Sequence, residues 1–250
     1  MTLSTSARLA PLARPSGAAA GYQRWRELLF LHWRVDPAAL QALLPRGLTL
    51  DLYQPAGEEG AGEGEALVGV VPFKMEGVRP RWAPEALAFE FLETNLRAYV
   101  HRDGEPGVYF FSLEAASRVA VWTARAGWGL PYFYARMRSR RAHDGWVSYS
   151  SARGAEEDLE VRYRPGEPLA PSAPGSLEFY LLERYLLFTE RGGALWRGQV
   201  HHAPYPARAV EVGGVSERLL AHAGLAPLGD LRCAHYSEGV DVEVFALERC

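Results

Sequence analysis

Residues 89–101 read FEFLETNLRAYVH, and this stretch decides the fold. Apolar residues fill most of one of its two alternating faces, while the other face carries Phe91, Glu93, Asn95, Arg97 and Tyr99. A period of two predicts a β-strand. The Asp103-Gly104 pair that follows predicts a tight turn into a second strand over 107–113, and thus a β-hairpin.

The polar face of this strand has two interpretations. A sheet that faces water would carry the same residues. Because Glu93, Asn95 and Arg97 alternate with Phe91 and Tyr99, which prefer shelter, the face can instead line a cavity. The pattern alone leaves both interpretations open.

The rest of the chain continues in short strands with turn residues between them, which is typical of an antiparallel β-barrel or two-sheet architecture. An apolar strand over 66–75 contains Pro72, which predicts a sheet edge or a bulge. Short helices are predicted where a capping residue precedes an apolar turn, at Asp36-Pro37 and at Ser176. The Gly- and Glu-rich residues 54–65 predict a solvated loop or hairpin tip. The fold class is therefore mostly β (α+β) with a few short helices.

Composition limits the partners. The 250 residues are 48% apolar with a net charge of −3, and no basic stripe predicts nucleic-acid binding. No run approaches the roughly 20 apolar residues of a membrane helix. Residues 1–20 have no apolar core of a secretion signal and predict a flexible tail before a single domain over 21–250. We expect no membrane partner and a cytoplasmic location.

No metal site or cofactor is predicted. The cysteines are Cys233 and Cys250, too few for a disulfide framework or a zinc ligand set. His201 and His202 are adjacent, so on a strand they would face opposite ways. The spacings H-x-H, H-x-x-x-H and C-x-x-C are absent.

The strand predicted over 25–35 places Arg26, His32 and Arg34 on one side, by the same alternation. This side is either a solvent face or part of a site. Lys74 is the single lysine of the chain, so it alone could form a Schiff base with a carbonyl compound.

Three segments resemble the acetoacetate decarboxylase-like superfamily. They are Arg26–Asp36 with the short helix after it, Arg125–Ala135, and His222–Leu231. Within that superfamily, Leu29-Phe30-Leu31-His32-Trp33, Glu93-Thr94-Asn95-Leu96-Arg97 and Glu183-Arg184-Tyr185 resemble the uncharacterised YqjF-like group, a domain of unknown function.

The resemblance also implies which chemistry is missing. In the decarboxylases two lysines follow a conserved proline, the first forming the Schiff base and the second depressing its pKa. Here Tyr132 and Phe133 stand at those positions. Lys74 lies on another strand, and by strand alternation its side chain points to the side opposite to the positions that the resemblance places in the cavity. Decarboxylation by that mechanism is therefore not expected.

The resemblance places Arg26 at the family's carboxylate-recognising arginine and Glu93 at its cavity glutamate, and it implies that both converge with Tyr132. We therefore expect a central polar cavity that binds a small carboxylate or carbonyl compound. Its catalytic candidates are Glu93 and Tyr132, and its ligand-binding candidates are Arg26, His32, Asn95 and Arg97.

Two alternatives stay open. One is a lysine-independent acid/base enzyme, such as an isomerase, hydratase or hydrolase acting next to a carbonyl. The other is a structural or partner-binding protein whose cavity its own side chains fill. The decarboxylases form large oligomers, so a homo-oligomer stays open as well, although no residue supports it.

Overall fold

The computed structural model describes residues 3–55 and 64–250. Most of the solvated loop predicted over 54–65 lies outside these residues. Among the described residues, one large sheet comprises β1 (Gly21–Arg34), β2 (Thr49–Leu50), β3 (Leu67–Pro80), β4 (Phe89–Arg102), β5 (Glu105–Ala115), β6 (Tyr132–Tyr134), β7 (Arg136–Arg141), β8 (Val147–Ala152), β9 (Leu159–Pro168), β10 (Leu186–Arg191), β11 (Ala194–His201), β12 (Ala207–Glu217), β13 (Cys233–Val244) and β14 (Glu248–Arg249).

The helices are short, and the sequence signals that predict two of them are confirmed. They are α1 (Thr5–Leu9), α2 (Pro37–Ala42), α3 (Arg118–Trp128), α4 (Leu177–Leu182) and α5 (Leu219–His222). Two 3-10 turns cover 10–12 and 85–87. The Asp36 and Ser176 side chains accept backbone N–H bonds at the starts of α2 and α4. None of the helices in the described ranges is long and apolar enough to cross a membrane.

The mostly β class with few short helices is confirmed. The sheet is mixed rather than purely antiparallel, because β5 pairs in parallel with β10 and with β6. Its central order is β5-β4-β3-β1-β13, and a further pairing joins β11 to β13. A closed barrel stays a prediction.

Pro72 lies on a central strand, since β3 pairs with both β1 and β4. The predicted edge is therefore wrong and the predicted bulge is right. The β1–β3 register shifts between Arg26 and Leu31, so Pro72 sits where no regular ladder bond to β1 is needed.

Apolar side chains cover both faces of the central strands. Leu31, Val70 and Leu96 belong to one buried cluster, and Phe30 and Phe73 belong to a second cluster on the other face. Because both faces are covered, a polar residue on β4 is held away from bulk water.

The N-terminal segment packs against the sheet, whereas the sequence predicted a flexible tail. Arg8 of α1 donates to both carboxylate oxygens of Asp51, at 2.8 and 2.7 Å. Arg14 pairs with Glu243 of β13. These partners are distant in sequence, so local composition could not reveal the contacts. The domain boundary at residue 21 stays a prediction.

Candidate functional site

The polar face of β4 is buried, so its interpretation as a solvent face is wrong. Glu93, Asn95 and Arg97 expose 2%, 6% and 8% of their surface. All three line a cavity of about 480 Å³. The strand positions them because alternate residues of β4 point to one side while β3 and β5 hold it in place.

The cavity walls are mainly apolar rather than polar. Aromatic rings come from the central strands, among them Trp25, Phe30, Phe73 and Phe91, and α3 closes one side through Ala120 and Ala124. The polar groups therefore stand out against a wall of rings and aliphatic chains. Such a wall with a few converging polar groups is typical of a small-molecule site.

Glu93 and Tyr132 form a buried pair. The Tyr132 hydroxyl donates to Glu93 Oε2 at 2.8 Å. Burial raises the pKa of Glu93 from its ordinary value of 4.5 to about 8, the charge of Glu114 adds to the rise, and the Tyr132 hydrogen bond opposes it. No Arg, Lys or His of the described residues lies within ion-pair distance of Glu93. At neutral pH this carboxyl is therefore mostly protonated.

Tyr132 reaches the pair from β6, which lies beside β5 with Tyr132 opposite Leu113. Burial raises the pKa of the Tyr132 phenol well above its ordinary value, and the neighbouring Glu93 raises it further. The phenol therefore stays protonated as a hydrogen-bond donor. The backbone carbonyl of Tyr132 accepts from Arg125 of α3 at 2.5 Å, which fixes the strand to the helix.

Phe133, at the second lysine position, does not line the cavity. Its ring lies beneath the guanidinium of Arg153, 3.9 Å from the ring centroid, and Arg153 also pairs with buried Glu114. Lys74 lies outside the cavity too, with its ammonium 2.8 Å from Glu76 and 3.2 Å from Glu90. Since Lys74 is the chain's single lysine, no lysine lines the cavity.

Arg97 is a buried cation without a carboxylate partner among the residues described. It donates to the Leu181 carbonyl at 2.9 Å and to the Tyr99 hydroxyl at 3.2 Å, and it lies 5.4 Å from the ring centre of Phe30. Its Nε has no hydrogen-bond partner. The Oδ1 of Asn95 is likewise unpartnered.

Arg184 lines the same cavity and was missed as a site residue. It pairs with Asp51 at 2.8 Å, which Arg8 also contacts, while its Nη2 has no partner. The one signal for it in the sequence was the Glu183-Arg184-Tyr185 phrase, which marked similarity without indicating a role. Arg184 lies in the short segment that joins α4 to β10, and this segment brings it to the cavity.

Arg26 does not join the cavity, so the predicted convergence of Arg26 with Glu93 and Tyr132 is wrong. Its guanidinium pairs with Asp241 in a separate groove at the surface. Glu27 has a φ of +52°, and the β1–β3 register shifts just after it. This bulge reverses the alternation, so that Trp25 before it and Leu28 and Phe30 after it face the cavity while Arg26 turns away.

His32 is fully buried but does not line the cavity. Its Nε2 lies 2.7 Å from the Tyr99 hydroxyl, and Gly69 leaves the room, since a Cβ there would approach both groups to 3.2 Å. Burial lowers the pKa of His32 well below its ordinary value, and the Arg97 charge lowers it further. His32 is therefore a neutral imidazole next to the cavity wall.

Comparison with known proteins places this geometry in context. Residues 22–241 match the DUF2071 family of uncharacterised conserved proteins. The uncharacterised protein YqjF of Bacillus subtilis (strain 168) is 36% identical over 239 residues, which is 94% of each chain.

Solved structures share the fold at low identity. Acetoacetate decarboxylase of Legionella pneumophila superposes with a TM-score of 0.65 at 13% identity, over 96% of this chain and 94% of that one. The enduracididine biosynthesis enzyme MppR, complexed with pyruvate, superposes with a TM-score of 0.62 at 14% identity, over 94% and 91%. The predicted acetoacetate decarboxylase-like architecture is confirmed.

Proposed function

The chain belongs to the DUF2071 family of uncharacterised conserved proteins, and we propose that its cavity binds a small carboxylic acid bearing a carbonyl group and transfers a proton at the carbon beside that carbonyl. The observation that carries this proposal is the Glu93–Tyr132 pair. It is an acid/base group without a cationic partner among the described residues, in an open cavity.

Glu93 has the properties of a proton-transfer group. Its pKa of about 8 lies close to neutral pH, where a general acid or base is most effective. A pairing with an arginine would have fixed it as a carboxylate and favoured a purely structural role. Because such a partner is missing among the described residues, the carboxyl can gain and lose a proton.

Arg97 supports a carboxylate ligand. A buried cation is costly unless an anion compensates it. Arg97 lines the cavity with an unpartnered Nε, and no carboxylate of the described residues forms an ion pair with it. A guanidinium can hold a carboxylate through two parallel hydrogen bonds. The ligand's acid group is therefore expected at Arg97.

The spacing along β4 sets the size of the ligand. Glu93 and Arg97 are four residues apart, so their Cα atoms are separated by roughly 13 Å along an extended strand. Both side chains line the cavity and are long enough to reach toward each other across part of this distance, and Asn95 lies between them with an Oδ1 that has no hydrogen-bond partner. The cavity volume lies at the lower end of the range for small-molecule sites. A compound of a few carbons with an apolar middle fits these limits.

The proton transfer needs no lysine and no external oxidant. Ionised Glu93 takes a proton from the carbon beside the carbonyl, and the C–H electron pair becomes the C=C bond of an enolate. Protonated Glu93 can then donate to the Tyr132 oxygen, which frees the Tyr132 hydroxyl to donate to the enolate oxygen. When the proton on Glu93 is replaced by one from solvent and returned to the same carbon, the result is hydrogen exchange; return of the proton to a different carbon gives isomerisation.

The test is exchange of substrate hydrogen with deuterium. The full chain is incubated in D2O with small 2-oxo and 3-oxo acids, and loss of the C–H signal is followed by proton NMR. Pyruvate is tried first because MppR is described in complex with it. We expect exchange faster than in buffer, reduced about 100-fold or more in Glu93→Gln, and unchanged in Glu90→Gln, an exposed carboxyl on the same strand.

Arg97→Met separates binding from chemistry. This variant should slow hydrogen exchange of oxo acids but not of neutral ketones of the same length. If oxo acids raise the melting temperature of the wild-type protein without any exchange above buffer, the cavity binds without turnover and the proton-transfer proposal fails. If neither effect is seen for any oxo acid, the binding proposal fails too.

A further inference from the structure

A second cluster of reactive side chains lies on the pairing between β1 and β13. His32 of β1 stands directly opposite Cys233 of β13, and His235 is two residues further along β13. Residues two apart on a strand share a face, so all three side chains project to the same side. One ligand atom from each lies within 4.8 Å of those of the other two.

Each of the two histidines has one ring nitrogen without a partner. The Nδ1 atoms of His32 and His235 are both buried without a hydrogen-bond partner. The second nitrogen of each ring faces a polar oxygen: His32 Nε2 lies 2.7 Å from the Tyr99 hydroxyl, and His235 Nε2 lies 3.8 Å from the Glu178 carboxylate. Metal-binding histidines are commonly oriented in this way by a carboxylate or hydroxyl on the far nitrogen.

We propose that His32, Cys233 and His235 bind a transition-metal ion of the zinc class through two imidazoles and one thiolate. Zinc accepts this donor set with three protein ligands and a fourth position left to water or a small ligand. Ligand atoms around tetrahedral zinc are roughly 3.5 Å apart, so the side chains close in by about 1 Å on binding. The site lies apart from the cavity and does not depend on the proposed proton transfer.

The surrounding charges suit a cation with one thiolate. Glu178 faces the site from α4, and the one basic side chain near its carboxylate among the residues described is His235, at 3.8 Å. Arg232 also lies close, but it is paired with Glu65 at 3.2 Å. The nearest unpaired cation, Arg97, opposes the metal charge, and ionisation of the thiol compensates for it.

The ligands are in, or can reach, the form that a metal needs. Burial lowers the pKa of both histidines, which favours the neutral imidazole form. Burial also raises the pKa of Cys233 to about 11, so the thiol is protonated without metal. Binding therefore releases the thiol proton to solvent as the metal–sulfur bond forms. Cys233 is partly exposed, which gives the ion a path to the site.

The three ligands do not form any of the compact metal-binding spacings, such as H-x-H or C-x-x-C. Cys233 and His235 form a C-x-H pair, and the third ligand lies about two hundred residues earlier in the chain. Only the β1–β13 register brings His32 beside them.

The full chain is first treated with a chelator to remove bound metal. It is then titrated with Co²⁺, and Zn²⁺ is added afterwards. We expect one equivalent of Co²⁺ to produce a sulfur-to-cobalt charge-transfer band together with the intense visible bands of tetrahedral coordination, and Zn²⁺ to abolish both. Cys233→Ser should remove the charge-transfer band, whereas Cys250→Ser, the matched control at the exposed second thiol, should retain it.

Three results would overturn the proposal: no charge-transfer band in the wild-type protein, a band that persists in Cys233→Ser, or a band lost in Cys250→Ser. If the circular-dichroism spectrum shows that Cys233→Ser does not fold, His235→Asn is the second ligand variant. It should weaken Co²⁺ binding at least 10-fold. Deuterium exchange in the cavity should be the same with and without chelator, so failure of one proposal leaves the other standing.

Discussion

Glu93 should make the protein less stable as the pH rises, and Glu93→Gln should abolish this effect. In the folded protein the Glu93 pKa is about 8, against an ordinary value of 4.5. Between these two values the folded chain holds a proton that the unfolded chain has released. The free energy of unfolding therefore falls with increasing pH, by up to about 1.4 kcal/mol per unit.

The magnitude follows from the two pKa values. The contribution of Glu93 is fully present below about pH 4.5 and is lost as the pH rises through about 8. Between about pH 5 and pH 8 the loss sums to about 3–4 kcal/mol. Other buried carboxyls with raised pKa values, such as Glu114 and Glu183, add their own dependence, so the informative quantity is the difference between variant and wild type.

Urea unfolding of wild type and Glu93→Gln at a series of pH values measures that difference. Glutamine keeps the shape and a hydrogen bond to Tyr132 but cannot ionise. We expect the free energy of unfolding of Glu93→Gln, relative to that of the wild type, to rise by about 3–4 kcal/mol from about pH 5 to pH 8. Glu90→Gln should show no comparable rise. A difference between Glu93→Gln and wild type that stays constant over this range would refute the assignment of a raised pKa to Glu93.

Two further variants test the packing around the cavity. Arg8→Ala should lower the free energy of unfolding by about 1–3 kcal/mol, because it removes a charged partner of buried Asp51. Arg14→Ala removes a more exposed ion pair and should lower it by under about 1 kcal/mol. Equal losses for the two variants in urea unfolding would contradict the docking of the N-terminal segment. Gly69→Ala should lower the free energy of unfolding by about 1–3 kcal/mol, because its Cβ would approach two buried polar groups to 3.2 Å. Gly214→Ala, whose Cβ meets open space, is the control. A Gly69→Ala protein as stable as the wild type in urea unfolding would disprove the crowding.

The outline of the fold could be predicted from the sequence because it rests on local signals. Alternation over 89–101 specified β4, and the Asp103-Gly104 turn specified its hairpin with β5. Asp36 and Ser176 marked the starts of α2 and α4 through their capping side chains. Each signal acts over a few residues, so none needed knowledge of the partner strand.

Part of the candidate site was predictable for the same reason. Glu93, Asn95 and Arg97 share a face by strand period alone, and the resemblance added Tyr132. The sequence could not decide whether that face met water or a cavity. The covering of both faces of β4 by apolar clusters decided it.

The sequence by itself determined the chemistry that is missing: a chain whose single lysine is Lys74 carries no lysine at the Schiff-base positions. The tertiary structure alone decided which polar groups meet. The bulge at Glu27 turned Arg26 away from the cavity. The segment between α4 and β10 brought Arg184 to the cavity, and the β1–β13 register set His32 beside Cys233. Bulges and strand register depend on contacts between distant segments, and such contacts leave no periodic signal in a single sequence.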